Sequence, residues 1–171
     1  MGRATNGAAD SSSFEALYAR ELPGLVALGL ALTGSRESAK DIAQEALLRA
    51  YRDWDRVTAL DRPGAWVRRV LINLATDTRR RRTTEVRAMS QVAAEPAAIT
   101  GEPELDRFWD LVRALPERQR AAVALRYVDD LAVDDIAAIL RVSVGTITKS
   151  LFEARRSLAG SLGLEVDDDR R

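Results

Sequence analysis

The sequence predicts an all-α protein made of two small helical domains joined by a linker, the second of which contains a helix-turn-helix. Apolar residues recur at steps of three and four along most of the 171 residues, which is the spacing of a buried helix face. The alternation typical of half-buried strands is missing. The helical period is lost around Pro96, Gly101 and Pro103, which predicts a linker. We expect a flexible tail over 1–12, a first domain over 13–82, the linker over 83–103, a second domain over 104–162 and an acidic tail over 163–171.

The first two helices of the first domain are delimited by residues with known end preferences. The first runs from Ser13 to Thr33, and we expect Pro23 to kink or interrupt it because proline lacks the N–H of a helical bond. Gly34 suits a left-handed residue at its end, and Ser35 suits the N-cap of the second helix. That helix, Arg36 to Trp54, repeats apolar residues on one face. The predicted core residues are Ala39, Ile42, Ala43, Ala46, Ala50 and Trp54.

The opposite face of the second helix combines acidic residues with an exposed leucine. It carries Asp41, Gln44, Glu45, Leu48 and Arg52. An apolar side chain among carboxylates indicates a partner-binding patch, although isolated exposed leucines are also common on ordinary surfaces. Paired acids can serve hydrolysis, but these lie on an open helix face without a second polar cluster. We therefore do not expect an enzyme.

The third helix is basic and carries a polar line. It opens with Pro63, which is favoured in a first turn, and runs to about Arg82 with Trp66, Val67, Val70, Leu71 and Leu74 turned inward. The segment Arg62–Arg82 has seven arginines against the single carboxylate of Asp77. Its polar side repeats Arg69, Asn73, Thr76 and Arg80 at steps of four, three and four.

This line suits nucleic acid, since arginine binds phosphates while Asn and Thr reach base edges or sugars. The alternative for the terminal arginine run is a frayed, solvated helix end. Trp54 and Trp66 offer a stacking surface for an opened strand, but core packing is the interpretation that we favour for both.

The second domain is expected to hold four helices, the last two forming a helix-turn-helix. The predicted spans are Glu104–Ala114, Pro116–Asp129, Val133–Leu140 and Val144–Gly160. Arg141–Ser143 forms a tight turn between the last two, and Ser143 is a good N-cap. On the last helix the predicted inward residues are Val144, Ile147, Leu151, Ala154 and Leu158.

The outward residues of that last helix suit the major groove of DNA. They are Thr146, Lys149, Glu153 and Arg156. Lysine donates to guanine, glutamate accepts from cytosine N4, and threonine does either. The alternative is a helical hairpin with a solvated polar face. Residues 104–162 carry nine basic and nine acidic residues, so a DNA role here depends on the shape of the motif.

Composition excludes several function classes. Cysteine and histidine are both absent, which removes disulfides, the usual zinc ligands and the commonest general base. We therefore expect no cofactor and no metal. The N-terminal residues lack the pattern of a secretory signal, and the most apolar stretch, Leu25–Leu32, is far shorter than the roughly 20 residues of a membrane span. A cytoplasmic protein without a membrane span is predicted.

The motifs, in this order, resemble the extracytoplasmic-function sigma factors of bacteria, over nearly everything from Phe14 to Leu158. The stretch Leu32–Ala50 is similar to the family's core-polymerase-binding helix. Ala65–Asp77, followed by arginines, is similar to its −10 promoter helix. The stretches Ala114–Arg120, Val144–Ile147 and Ala154–Leu158 are similar to its −35-reading domain. The chain departs from the family pattern at Thr148-Lys149-Ser150 and at Arg141, where the family has a turn glycine.

The resemblance implies a division of labour between the two domains. Asp41, Gln44, Glu45 and Leu48 dock on the clamp helices of the largest subunit of bacterial RNA polymerase. Promoter DNA is bound at the −10 element by Arg69, Asn73, Thr76 and Arg80, with the loop Asp55–Arg62 holding a flipped base. Thr146, Lys149, Glu153 and Arg156 read the −35 element. Regulation by an anti-sigma factor is common in the family.

Two other functions fit parts of the sequence. A stand-alone helix-turn-helix regulator predicts a dimer on palindromic DNA without polymerase. A helical adaptor predicts that the arginine run has no role in transcription.

Overall fold

The computed structural model describes the backbone of residues 6–88 and 101–164, and the side chains of residues 14–84 and 101–164. These parts of the chain form eight α-helices and contain no strand. In chain order the helices are α1 (Asn6–Thr33), α2 (Arg36–Arg52), α3 (Trp54–Thr58), α4 (Pro63–Ala88), α5 (Pro103–Ala114), α6 (Glu117–Tyr127), α7 (Val133–Leu140) and α8 (Val144–Leu162). The all-α prediction is confirmed.

The turn between α1 and α2 is built as the sequence predicts. Gly34 has a φ of 71°, a left-handed conformation that glycine adopts at no steric cost. The Ser35 side chain accepts a hydrogen bond from the Ser38 N–H at 3.2 Å, which satisfies one of the free donors of the first turn. The interruption predicted at Pro23 is wrong, because α1 continues through it. The fixed φ of proline is itself helical, and packing against α2 and α4 holds the rest of the helix.

Helix ends differ from the prediction where polar residues continue a helix. α1 begins at Asn6, inside the segment expected to be a tail, and α4 runs to Ala88, inside the segment expected to be a linker. The hydroxyls of Thr83 and Thr84 donate to the carbonyl oxygens one turn earlier, both at 3.0 Å. Arginine and glutamate have good helix propensity without an apolar period, so the pattern missed this extension. The remaining linker positions, 89–100, lie outside the described residues.

The core of the first domain lies between α1, α2 and α4. Its largest fully buried side chains include Leu25, Leu28, Leu47 and Leu71. The alanines predicted on the inner face of α2 are buried, and small side chains there let α1 approach α2 closely. Trp54 and Trp66 are half-buried and pack against this core, as the core-packing interpretation predicts.

The second domain packs α5 to α8 around Val112, Leu125, Ile136 and Ile147. One prediction for α8 is wrong: Val144, expected on the inner face, is 44% exposed. Val144 is the first residue of the helix, one turn before the buried stripe that starts at Ile147. It therefore extends beyond the surface that α8 packs against.

The two domains pack against each other. α1 contacts α5 and α6, and α4 contacts α7, so that the buried apolar residues of both halves form one continuous cluster. This contact brings the basic helix α4 next to the start of α6. The surroundings of α4, described below, depend on this contact between the domains.

α1 has the length and composition of a membrane span over Phe14–Thr33, with a mean hydropathy of 1.2. The expectation that no apolar stretch reaches the length of a membrane span is therefore wrong. The fold gives the apolar residues another role, because Leu17, Leu25 and Leu28 are buried against the other helices. A core helix of this kind needs no membrane to cover its apolar side.

Candidate protein and nucleic-acid interfaces

The outer side of α2 carries all five residues predicted for partner binding. Asp41, Gln44, Leu48 and Arg52 are exposed and Glu45 is half-buried. We call these five residues the α2 face. Glu45 accepts a hydrogen bond from the Arg49 side chain at 2.8 Å, while Leu48 is 42% exposed. Carboxylates and an apolar side chain are thus presented together to solvent.

An apolar groove lies along the α2 face, and the sequence did not predict it. It has a volume of about 550 Å³. Its aromatic wall is formed by Phe14 and Tyr18 of α1 and Tyr51 of α2, with the rings of Phe14 and Tyr51 centred 4.9 Å apart. Asp41 and Glu45 line the same groove. Because the wall comes from two helices, only the packing of α1 on α2 creates it.

Three of the four residues in the polar line of α4 border the second domain. Asn73 and Arg80 are exposed, and Arg69 and Thr76 are half-buried. We call these four residues the α4 line. Asn73 lines a cleft of about 380 Å³ together with residues of α6 and of the turn after α7. Thr76 and Arg80 line a second cleft, of about 440 Å³, whose other wall is the start of α6.

The arginine run at the end of α4 is docked rather than frayed. Arg80 forms an ion pair with Glu117 at 2.9 Å, Arg82 donates to the Ser38 hydroxyl at 2.7 Å, and Arg79 donates to the carbonyl oxygen of Arg113. The alternative of a frayed, solvated end is therefore wrong about fraying, since α4 continues past the run, but these arginine side chains are exposed to solvent as it predicted. Burial, followed by the nearby charge of Arg79, lowers the pKa of the Arg120 guanidinium to about 10, because this cation is withdrawn from water beside a second one.

The helix-turn-helix has the predicted boundaries at α7 and at the start of α8. Arg141 closes α7 with a φ of 54° and a ψ of 50°, a left-handed conformation that costs a non-glycine residue free energy. The Val142 N–H donates to the Ala137 carbonyl oxygen at 3.1 Å, which completes the helix end. The Ser143 side chain caps α8 by accepting from the Thr146 N–H at 3.1 Å.

The outer face of α8 points to solvent. Lys149, Glu153 and Arg156 are exposed, and together with Thr146 we call them the α8 face. Thr146 is half-buried, and its hydroxyl lies 2.8 Å from the Ser143 hydroxyl, so capping already occupies it. Glu153 accepts from the Gln119 side chain at 3.0 Å, which orients this carboxylate from a neighbouring helix.

Comparisons with known proteins identify both domains. Residues 17–85 match the family model for Sigma-70 region 2, and residues 105–158 match the model for Sigma-70, region 4. The "ECF RNA polymerase sigma factor EcfG" of Rhodopseudomonas palustris is 30% identical over 152 residues, covering 86% of this chain and 84% of that protein. This chain belongs to the extracytoplasmic-function sigma factors.

Two further comparisons support the assignment of this chain to the sigma factors. The "RNA polymerase sigma-E factor" of Streptomyces coelicolor is 32% identical over 126 residues, which is 72% of this chain and 71% of that protein. Among solved structures, the sigma factor RpoE in complex with the anti-sigma factor NepR, from Bartonella quintana, superposes with a TM-score of 0.71 and 27% identity. That superposition covers 90% of this chain and 99% of the other.

Membership of the family decides between the functions that the sequence left open. The sigma factor binds core RNA polymerase and promoter DNA and directs transcription initiation, and sigma factors are in general not catalysts. This function replaces the two alternatives that the sequence left open, the stand-alone regulator and the helical adaptor. The region 2 match covers the α2 face and the α4 line, and the region 4 match covers the α8 face.

Proposed function

We propose that the sigma factor docks on the clamp helices of the largest polymerase subunit through the α2 face. The groove beside this face supports the proposal most directly, because an apolar floor rimmed by Asp41 and Glu45 suits a helix with apolar and basic side chains. Leu48 and Tyr51 supply exposed apolar area for the centre of the contact. The carboxylates then fix the orientation of the partner.

The two DNA-facing surfaces divide the promoter between them. The α4 line engages the −10 element, with arginines on phosphates and Asn73 and Thr76 near bases. The segment over residues 55–62 was predicted to be a loop, but its first four residues belong to α3. It borders α4 and helps to hold a flipped base. The α8 face reads the −35 element as duplex, with Lys149 and Arg156 as donors and Glu153 as an acceptor.

Two further properties follow from this assignment. A factor that works on chromosomal promoters acts in the cytoplasm, without cofactor or metal. An anti-sigma factor is a candidate regulator, since the similar structure from Bartonella quintana is a complex with one. Such a partner inhibits by covering the α2 face, where it competes with polymerase.

The docking role is tested by Leu48→Asp, which places a charge at the centre of the contact. Because an interface charge without a partner is costly, we expect core-polymerase affinity to fall by at least about tenfold. Leu105→Asp is the matched control, since Leu105 is exposed to a similar degree but lies on α5. Fluorescence polarisation with core enzyme measures both. Equal affinities for the two variants would contradict docking through the α2 face.

Promoter reading is tested by run-off transcription with core polymerase on a genomic library. We expect discrete start sites that share −10 and −35 elements. Random initiation, or none, would contradict the proposed function.

A further inference from the structure

A hydrogen bond from a neighbouring helix holds the carboxylate of the α8 face. Gln119, in the first turn of α6, donates from Nε2 to Oε2 of Glu153 at 3.0 Å. The other carboxylate oxygen of Glu153, Oε1, lies 3.8 Å from Nζ of Lys149, one helical turn earlier on α8. Both oxygens of Glu153 therefore have a partner, although the side chain is 45% exposed.

The start of α6 is a fixed base for this hydrogen bond. Arg120, next to Gln119, is buried and donates to the carbonyl oxygen of Arg113 at 2.9 Å. Leu115, just before α6, is also buried, and α6 packs directly against α8. Gln119 itself is half-buried. A side chain on such an anchored helix restricts its partner more closely than a side chain on a loop does.

Glutamate needs such restraint on a DNA-binding surface more than lysine does. The Lys149 ammonium is attracted by any phosphate that it approaches. The Glu153 carboxylate is repelled by every phosphate and gains only from a hydrogen-bond donor, since an ionised carboxylate has no hydrogen to donate. When its side chain is already held in one conformation, less conformational entropy is lost as DNA binds. The hydrogen bond from Gln119 therefore supports selectivity for a donor on a base.

The donor that suits Glu153 best is N4 of cytosine. In the major groove cytosine presents this donor, whereas adenine presents its N6 donor beside the N7 acceptor. Guanine presents the acceptors O6 and N7, and thymine presents the acceptor O4. These acceptors repel a carboxylate. Cytosine is therefore the base that offers Glu153 a donor without a repelling neighbour.

The position of Lys149 adds a second base to this preference. Its ammonium suits O6 and N7 of guanine, and it lies 3.8 Å from the Glu153 carboxylate. Successive base pairs are about 3.4 Å apart along the duplex. The two charged groups therefore reach base pairs that are at most one step apart.

We propose that Gln119 positions Glu153 to select cytosine at one position of the −35 element, with the guanine bound by Lys149 in the same or the adjacent base pair. The inference rests on the proposed role of the α8 face and adds a residue from outside it, since Gln119 belongs to α6. Glu153 contacts the base, whereas Gln119 acts through Glu153 and is a positioning residue. Loss of Gln119 therefore relaxes the choice of base without abolishing promoter binding.

The test uses holoenzyme assembled from core polymerase and the full chain. A promoter found by run-off transcription is rebuilt with its −35 positions randomised, and a barcode in each transcript reports the activity of each base at each position. Glu153→Gln identifies the position that Glu153 reads, because glutamine binds N6 and N7 of adenine. We expect the parent chain to prefer cytosine there by about tenfold, and Glu153→Gln to shift the preference to adenine.

Gln119→Leu removes the donor while keeping a side chain of similar size. We expect the preference for cytosine at that position to fall by about threefold to tenfold, whereas preferences at the other positions stay the same. Gln119→Lys restores a donor to the Glu153 carboxylate and should recover most of the selectivity. Arg118→Leu is the matched control, because Arg118 is the preceding, exposed residue of α6. It should leave the preference for cytosine unchanged.

Three results would overturn the positioning role of Gln119. The first is an unchanged preference for cytosine in Gln119→Leu, and the second is an equal loss of activity on all sequences, which would mean that Gln119 binds a phosphate. The third is a loss that Gln119→Lys does not restore. For the second base, Lys149→Ala should remove a preference for guanine, and a guanine more than one step from the cytosine would contradict the proposed spacing.

The proposed function is scored separately in the same experiment. Absence of promoter-directed transcription by the parent chain would overturn the proposed function itself. A parent chain that initiates at discrete promoters, combined with a Gln119→Leu variant of unchanged base preference, would overturn the positioning role alone. Circular dichroism verifies that each variant keeps its helicity.

Discussion

The two helices assigned to promoter DNA are presented differently by the same chain. The α8 face points to solvent, with Lys149 and Arg156 exposed, whereas the α4 line borders clefts walled by the second domain and has Arg80 paired with Glu117. The difference teaches that two helices with suitable residues can leave DNA different room to approach, since Asn73 and Arg80 are exposed but face a second wall. That wall comes from the domain contact, and not from either helix alone.

The largest expected effect comes from removing Arg68, which donates hydrogen bonds to Glu21 of the first domain and Asp129 of the second. We call these three residues the interdomain cluster. Arg68→Ala leaves Asp129 buried without a cation and Glu21 with only the exposed Arg20, so we expect the free energy of unfolding to fall by about 3–5 kcal/mol. Arg20→Ala is the control, because Arg20 pairs with Glu21 but its side chain is 64% exposed. Urea unfolding followed by circular dichroism measures both. Equal losses for the two variants would show that the cluster adds nothing beyond a surface ion pair.

Lys149→Ala tests the role of the exposed α8 face in binding the −35 element. If Lys149 donates to a base, its loss should weaken binding to the −35 duplex by about 1–3 kcal/mol. Because the α8 face is already open, the loss should be the same for the free chain and for the holoenzyme. Ser161→Ala, on the same helix beyond the face, serves as the control. Mobility shifts at fixed salt would reveal a loss confined to the holoenzyme, which would contradict an open α8 face.

Strain at the turn of the helix-turn-helix gives a smaller effect. Arg141→Gly removes a side chain from a left-handed residue, so we expect the protein to be more stable by about 1 kcal/mol. Thermal unfolding measures the change. A loss of stability would mean that contacts of the Arg141 side chain outweigh the strain.

The smallest effect is expected from the exposed ion pair that occupies Arg80. Glu117→Gln frees Arg80 but leaves the cluster at Arg68 intact, and exposed pairs contribute only about 0–1 kcal/mol. Binding of the −10 oligonucleotide to the free chain should therefore strengthen by no more than a few-fold. Anisotropy with Glu104→Gln as the surface control checks this. A gain of about tenfold or more would contradict a weak restraint by this exposed pair.

Local sequence patterns predicted the parts of the fold that depend on neighbouring residues. The alanine face of α2, the cap at Ser35 and the turn at Arg141 each follow from residues three or four positions apart. The same spacing placed Asp41 and Leu48 on one exposed face. Predicting such features does not require knowing which helices pack against each other.

Features that depend on distant residues were not predicted. The groove needs Phe14 from α1 beside Tyr51 from α2, and the cluster needs Arg68 beside Asp129, 61 positions later. No periodic pattern encodes such pairs. The short helix α3 and the extension of α4 past Arg82 were missed for another reason, because neither carries an apolar stripe of its own that marks its full length.

The most direct test of the account compares DNA binding by the free chain and by the holoenzyme. A −35 duplex and a single-stranded −10 oligonucleotide are each titrated with the sigma factor, with and without core polymerase, at one salt concentration. The account predicts that the −35 duplex binds in both conditions, whereas the −10 oligonucleotide gains at least about tenfold in affinity when polymerase is present. Equal affinity of the −10 oligonucleotide for the free chain and for the holoenzyme would contradict it.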